Sequence, residues 1–216
     1  MKTPREKKPS LHLMTLEQAR TLIEIGKGHT FEVPLILGLG LGLRAGELLA
    51  VQWNAINWQD GSLRVHQARH YSQGSLVQPS FQPAKHPRVI LLPQGVITCL
   101  QEHAARQQQE RARAGGRWQP LDLVICTEDG MALSPDRLTP PLQDLLRQVP
   151  FPVLRFHELR QTTTRLLLLA GLAPQIVGEI LGIGRQVLPY GDHWPPVSHT
   201  HYENARQTMN QLFFTK

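Results

Sequence analysis

Apolar side chains recur every three to four positions through much of the chain, the spacing that places them on one face of a helix. After Thr15, a residue type that caps helices, Leu16, Ala19, Leu22 and Ile23 follow this spacing. A second predicted helix begins at Thr30 and ends near the glycine-rich residues 38–42. Further helices are predicted over residues 44–51, 93–113, 157–170, 174–181 and 199–212, and after the pair Ser134-Pro135.

The remaining apolar runs are short and have the composition of strands. The turn signal at residues 59–62 is followed by Leu63, Val65 and other strand-compatible stretches up to Leu92, which predict three short antiparallel strands. Residues 123–126 predict one more short buried strand. We therefore expect an α+β fold that is mainly helical, with one small three-stranded antiparallel sheet. Residues 1–14 are predicted to be a basic tail or linker, and residues 15–216 a single domain.

Composition narrows the class of partner. Lys and Arg outnumber Asp and Glu by 23 to 17, which gives a net charge of +6 and favours a polyanion such as nucleic acid. The two cysteines, Cys99 and Cys126, are far apart and indicate a reduced compartment. No apolar run is long enough to span a bilayer. We expect a cytoplasmic protein of bacterial, archaeal, phage or plasmid origin, without a membrane partner.

Two segments and one late tyrosine supply the side chains that metal-free phosphodiester chemistry needs. Arg44 stands in the sequence Gly-Leu-Arg-Ala-Gly-Glu-Leu, residues 42–48. Glu47 is expected either to position a basic partner or to stabilise the first turn of the helix. His157 and Arg160 are separated by three positions, so both lie on one face of a predicted helix. The other face is predicted to be buried through Phe156, Leu159, Leu166 and Leu169. Two guanidiniums can hold a phosphate, an imidazole can move a proton, and the phenol of Tyr202 can attack phosphorus.

These segments resemble the catalytic domain of the tyrosine recombinase (phage integrase) family. The first box is residues 41–56 around Arg44, and the second is the run from His157 to Gly182. The resemblance implies that Arg44, His157 and Arg160 hold the scissile phosphate of double-stranded DNA and that Tyr202 forms a 3′-phosphotyrosyl intermediate. It implies DNA recombination without a cofactor or metal, and a tetramer on DNA. Members usually carry a further N-terminal core-binding domain, which we expect to be absent here.

The third box and the lysine of the family fit less closely. A Leu-Gly-His triplet usually closes the second box, but Ile183 follows Gly182 here. His193 precedes Tyr202 by nine positions, the usual separation, and is therefore the expected third-box residue, with Trp194 as the alternative. The lysine that protonates the departing 5′-oxygen is assigned to Lys85, although Gln82 occupies roughly the expected place.

Several alternatives remain open from sequence. The altered third box fits a catalytically impaired DNA-binding member, and a type IB topoisomerase uses the same residue set. Tyr190 competes with Tyr202 as nucleophile, whereas Tyr71 is expected to be a packing or surface aromatic. His199 and His201 could bind zinc as a pair, but a surface or DNA-contacting role is expected. Residues 207–214, with Phe213 and Phe214, are expected to dock onto a neighbouring protomer.

Overall fold

The computed structural model describes residues 13–70, 80–151, 153–183 and 197–215. Within these ranges the helices surround a buried apolar core, and the sheet is inserted between the third and fourth helices. The helices are α1 (Leu16–Gly26), α2 (Glu32–Leu35), α3 (Ala45–Leu48), α4 (Gln94–Ala114), α5 (Thr139–Leu146), α6 (Phe156–Leu169), α7 (Pro174–Leu181) and α8 (His199–Phe213). The strands are β1 (Ile56–Asn57), β2 (Ser62–His70) and β3 (Ser80–Leu91).

The first helix forms as its cap signal predicts. The hydroxyl of Thr15 accepts a hydrogen bond from the backbone N–H of Gln18, and the Gln18 side chain accepts from the Thr15 N–H. Met14 is already buried and donates its backbone N–H to Thr162 of α6, so packing begins one residue before the cap. The predicted helix start at Thr30 is wrong by two positions, because α2 begins at Glu32 after Phe31.

A glycine-rich helical turn between α2 and α3 packs against α6. Residues Ile36–Gly40 form a π-helix, and a side chain at Gly38 would lie 2.8 Å from the ring of Phe156. Thr163 of α6 donates its hydroxyl to the carbonyl of Leu39. Glycine is required in this turn because the two helical segments approach too closely for a Cβ atom. This contact fixes the N-terminal end of α6 beside the start of α3.

The sheet has the order β1-β2-β3 and is antiparallel throughout. Three strands are confirmed, but their predicted lengths are wrong: β1 has two residues and lies before the turn, while β2 and β3 have 9 and 12. The predicted strand over residues 123–126 is also wrong. Only isolated bridges form there, from Leu123 to Gln52 and from Cys126 to Ala132. The partner of Leu123 lies 71 positions earlier in the chain (123 − 52), and local composition does not reveal such a partner.

A long bulge interrupts the pairing of β2 with β3. Val65 pairs with Arg88, but the next paired residue of β2, Gln67, lies opposite Pro83. One residue of β2 therefore faces four residues of β3, numbers 84–87. Extra residues in one strand leave the ladder and redirect their side chains. This bulge carries Lys85 out of the regular pairing of the strand.

The last three helices match their predicted bounds closely. Helix α7 ends at Gly182, whose left-handed conformation (φ 63°) is the usual helix stop. The prediction that Leu169 belongs to the buried face of α6 is wrong, since this side chain is 70% exposed. No helix of the described residues is both long and apolar enough to cross a bilayer.

The end of α8 packs within its own chain. Phe213 is 3% exposed in the core, and the ring of Phe214 lies against Gly95, where a Cβ atom would be 2.4 Å from it. Arg20 of α1 donates hydrogen bonds to the carbonyls of Gln211 and Leu212. Phe213 is buried and Phe214 is partly buried within the single chain, and docking of residues 207–214 onto a neighbouring protomer stays a prediction.

Candidate active site

Three of the predicted site residues line one open cleft of about 530 Å³. Arg44 enters it from the start of α3, and His157 and Arg160 enter it from the first turns of α6. The Arg155 side chain, just before α6, lines the same cleft. The cleft thus collects basic side chains from segments more than a hundred positions apart, an arrangement suited to an anion.

Arg44 is held at the boundary between extended chain and helix. Its backbone is extended (φ −69°, ψ 151°), and its N–H donates to the Glu47 carboxylate, 3.0 Å away. The guanidinium donates from Nη1 to Glu47 Oε1 at 2.9 Å and from Nη2 to the carbonyl of Gly182 at 2.8 Å. The side chain is 40% exposed, so its remaining surface faces the cleft. Arg44 is therefore both fixed and accessible.

Glu47 receives hydrogen bonds from two arginines. Besides the two from Arg44, Arg88 of β3 donates from Nη1 and Nη2 to its two oxygens, each at 2.9 Å. The side chains of Glu47 and Arg88 are 3% and 6% exposed. Burial alone would raise the pKa of Glu47, but the hydrogen bonds and charge of Arg88, with those of Arg44, lower it overall. The expectation that Glu47 positions a basic partner agrees with this geometry.

Arg160 is bound to two backbone carbonyls. Its Nη1 donates to Gly42 at 2.6 Å, and its Nη2 donates to Leu181. Burial and the nearby Arg44 charge lower the pKa of Arg160 to about 10, so it remains cationic at neutral pH. The two guanidiniums repel one another, and a bound anion between them would relieve that repulsion. This electrostatic arrangement favours a phosphate over a neutral ligand.

The bulge of β3 brings a second basic group towards the arginines. His86 lies against the end of α7, where a side chain at Gly182 would be 3.2 Å from its Cβ. Partial burial lowers the pKa of His86, and the charges of Arg44, Lys85 and Arg88 lower it further. Lys85 is exposed beside it. Lys85 therefore lies in the bulge beside His86, whereas Gln82 lies in the paired part of β3, and the role of Lys85 as the acid stays a prediction.

Tyr202 lies in the first turn of α8. It is partly buried against the core, and burial together with the Glu179 carboxylate of α7 raises its pKa. The phenol is therefore protonated at neutral pH. His201, beside it, accepts a hydrogen bond from the backbone N–H of Ser198 and so closes the helix start. In the part of the chain that the structure describes, no three His, Cys, Asp or Glu side chains cluster as metal ligands.

Five further sequence candidates do not line the cleft among the described residues or fall outside those residues. His193, Trp194, Tyr190 and Tyr71 lie outside the described residues. Ile183 packs against the core and its backbone N–H donates to Gly178, so its side chain provides no polar group to the cleft.

The sequence interpretation missed two residues at this site. Arg88 is not among the residues given a role from sequence, because its buried fork on Glu47 depends on a pairing register that the sequence does not reveal. Arg155 was not considered, although Arg-x-x-Glu, the spacing of Arg44 and Glu47, recurs at Arg155 and Glu158. In both cases the backbone N–H of the arginine donates to the glutamate at the helix start. The repeated Arg-x-x-Glu spacing could therefore have identified Arg155 as a second arginine fixed at a helix start.

No family model matches the sequence. The chain is similar to a protein named tyrosine recombinase XerC-like from Caldanaerobacter subterraneus subsp. tengcongensis, with 28% identity over an alignment 228 positions long that covers 98% of this chain and 57% of the relative. A protein named integrase from Saccharopolyspora erythraea is 21% identical over an alignment 233 positions long, which covers 84% of this chain and 53% of the relative. The chain thus spans a little over half the length of the curated relatives it matches.

Solved structures give the same result for the fold. The Tn1549 transposon integrase in complex with a circular intermediate DNA superposes with a TM-score of 0.72 at 15% identity, covering 95% of this chain and 68% of that one. The XerA recombinase superposes with a TM-score of 0.66 at 14% identity, covering 97% and 68%. The chain has the tyrosine recombinase catalytic-domain fold. The resemblance to that family indicated by the sequence motifs is confirmed.

Proposed function

We propose that this chain cleaves and rejoins DNA strands through a 3′-phosphotyrosyl intermediate, as the catalytic part of a site-specific recombinase. The observation that carries the proposal is the shared cleft of Arg44, His157 and Arg160. Relatives named tyrosine recombinase and integrase, and a neighbouring structure in complex with DNA, support double-stranded DNA as the substrate. The net charge of +6 favours the same partner.

The two arginines would stabilise the transition state. Displacement at phosphorus passes through a pentavalent arrangement that carries more negative charge than the diester, and forked guanidinium donors match its oxygens. Arg44 and Arg160 are already fixed by Glu47 and by backbone carbonyls. Little reorganisation is then needed when the phosphate binds. Arg155 would add positive charge at the edge of the cleft.

The proton transfers are assigned to the remaining groups. The phenol of Tyr202 attacks phosphorus and loses its proton, the bond from phosphorus to the 5′-oxygen breaks, and a 5′-hydroxyl leaves after protonation. Lys85, on the β3 bulge, is the proposed acid that gives a proton to that oxygen, and His157 is the proposed base that accepts the proton of the phenol. Both protons return in the reverse step. His193 is proposed to add a further donor. The reverse attack by the 5′-hydroxyl of a second strand restores Tyr202.

A nicked duplex that traps the covalent intermediate tests the proposal. If cleavage releases a short 5′-ended fragment that diffuses away, rejoining cannot occur, and the protein should accumulate on the DNA as an adduct stable to detergent. Tyr202→Phe should abolish the adduct because it removes only the nucleophilic oxygen. Tyr190→Phe is the matched control and should retain it.

Other outcomes identify the alternatives. DNA binding that weakens steeply with salt, without an adduct, would make the chain a binding member of the family, an outcome that the apolar Ile183 after Gly182, where a histidine is usual, favours. Relaxation of supercoiled plasmid without dependence on a target site would indicate a type IB topoisomerase activity. An adduct that survives Tyr202→Phe would refute the assigned nucleophile.

We also propose that copies assemble as a tetramer on paired DNA sites. Because Phe213 and Phe214 pack within the chain, any exchange of the C-terminal segment would first have to release them. Light scattering of the protein with a duplex target site should give complexes of four chains, and complexes limited to one chain per duplex at saturating protein would refute the assembly.

A further inference from the structure

Three arginines converge on the C-terminal end of α7. Arg88 donates from Nε to the carbonyl of Ile180 at 2.6 Å, Arg160 donates to the carbonyl of Leu181, and Arg44 donates to the carbonyl of Gly182 at 2.8 Å. The last carbonyls of a helix have no partner inside the helix and carry its partial negative charge. Here each of three consecutive carbonyls accepts from a different guanidinium.

Arg88 differs from the other two arginines in its accessibility. Its side chain is 6% exposed, whereas that of Arg44 is 40% exposed. Four of its five N–H groups are engaged by Glu47, by Ile180 and by the carbonyl of His86. Arg88 is therefore turned towards the protein and is not placed to bind a phosphate in the cleft.

Both groups that hold the Arg44 guanidinium are themselves held by Arg88. Glu47, the partner of Arg44 Nη1, receives two hydrogen bonds from Arg88. Gly182, whose carbonyl is the partner of Arg44 Nη2, lies against Arg88: a Cβ atom at Gly182 would be 2.7 Å from Arg88 Nη1. Both partners of the Arg44 guanidinium therefore contact a side chain that does not line the cleft.

We propose that Arg88 is a positioning residue of the phosphate site, which sets the orientation of the Arg44 guanidinium through Glu47 and the end of α7. This inference rests on the proposed function. The planar shape of the Arg88 guanidinium is the property that positions Glu47 and α7. A planar fork binds both oxygens of Glu47 and one carbonyl together, whereas a lysine ammonium is a compact donor that does not reproduce the fork.

Arg88→Lys separates positioning from simple charge neutralisation. Lysine keeps a positive charge opposite the buried Glu47, so the fold should survive a change that would otherwise leave a buried carboxylate unpaired. The ability to bind both carboxylate oxygens and Ile180 at once is lost. Misplacement of a catalytic group by a fraction of an ångström to about 1 Å can lower a rate by about a hundredfold.

The first measurement follows the guanidinium signal of Arg44 by NMR. The signal that disappears in Arg44→Lys is assigned to Arg44. Rotation about the bond between Nε and Cζ is slowed when both Nη groups are bound, as they are here. Arg88→Lys should speed this rotation by about tenfold, which corresponds to the loss of about 1.4 kcal/mol of restraint. Unchanged rotation in a folded Arg88→Lys protein would overturn the proposal.

The second measurement compares cleavage of two nicked duplexes, one with the ordinary phosphodiester and one with a methylphosphonate at the scissile position. The methylphosphonate lacks one anionic oxygen, so it depends less on correctly placed guanidiniums. Arg88→Lys should slow cleavage of the phosphodiester by about tenfold to a hundredfold and that of the methylphosphonate much less. An equal loss on both substrates would contradict positioning and indicate general damage to the fold.

Arg106→Lys is the matched control, because Arg106 of α4 also faces a buried glutamate, Glu32, but does not line the cleft. It should leave the rotation of Arg44 and the ratio of the two cleavage rates at the wild-type values. If the wild-type protein cleaves neither duplex, the proposed function fails, and the rotation of Arg44 still decides whether Arg88 positions it.

Discussion

Glu47→Gln, a nearly isosteric substitution, should lower the free energy of unfolding strongly. Glu47 is 3% exposed and accepts four hydrogen bonds, two from Arg44 and two from Arg88. Glutamine has one acceptor oxygen in place of two and turns an NH₂ group towards the donors. At least two charge-assisted hydrogen bonds are lost, and the buried Arg88 charge is left without its counterion.

The size of the effect follows from those losses. Charge-assisted hydrogen bonds contribute about 1.5–3 kcal/mol each, and removing one member of a buried ion pair costs about 3–5 kcal/mol. We expect the free energy of unfolding to fall by about 3–5 kcal/mol. In urea, with a slope of about 2 kcal/mol per molar, the midpoint should fall by about 2 M.

The dependence of this loss on pH tests its electrostatic origin. The pKa of Glu47 in the folded protein lies below its ordinary value of 4.5, mainly because Arg88 and Arg44 outweigh the effect of burial. The stabilisation by Glu47 is therefore complete above the unfolded pKa and is lost as the pH falls through the folded pKa. The difference between Glu47→Gln and wild type should shrink in that acid range.

Asp144→Asn provides the control for the same exchange at the surface. Asp144 pairs with Arg147 at 2.7 Å, and the two side chains are 58% and 77% exposed. Exposed pairs of this kind contribute about 0–1 kcal/mol, so its urea midpoint should stay within about 0.5 M of wild type. If Glu47→Gln is as stable as Asp144→Asn at neutral pH, the buried ion network does not stabilise the site and the reasoning is refuted.

Three further predictions concern the end of α7 and the start of α8. Gly182→Ala should lower the free energy of unfolding by more than about 1 kcal/mol, because φ is 63° and the added Cβ would meet Arg88, and an unchanged urea midpoint would contradict this. His201→Ala should cost about 0.5–1 kcal/mol by removing the acceptor for Ser198, whereas His201→Gln should restore it, and equal midpoints would refute the cap. Because burial raises the pKa of Tyr202, the absorbance difference at alkaline pH between wild type and Tyr202→Phe should titrate above the ordinary value of 10, and titration below 10 would be the contrary result.

Sequence patterns predicted the parts of the fold that depend on neighbours in the chain. The cap at Thr15, the stop after α4 and the left-handed end of α7 at Gly182 are local signals, and each lies close to its predicted position. The convergence of Arg44 with Arg160 came from the resemblance to a family, since nothing within either segment specifies the other.

The incorrect predictions share one physical cause. Three features depend on which distant residues supply a partner or a cover: the bridge at Leu123, the four-residue bulge of β3 and the exposure of Leu169. The burial of Arg88 has the same origin. An arginine in a strand is ordinarily solvated, and it is buried here because Glu47 and the carbonyls of α7 satisfy its charge and donors.

The most direct test of the central claim is a structure of the protein on nicked duplex DNA with vanadate, which adopts the five-coordinate geometry of the transition state. We predict one vanadium atom whose oxygens lie within hydrogen-bond distance of both the Arg44 and Arg160 guanidiniums. The Tyr202 oxygen should lie opposite the 5′-oxygen across that atom. Arg44 and Arg160 contacting different phosphates, or Tyr202 remote from the vanadium, would contradict it.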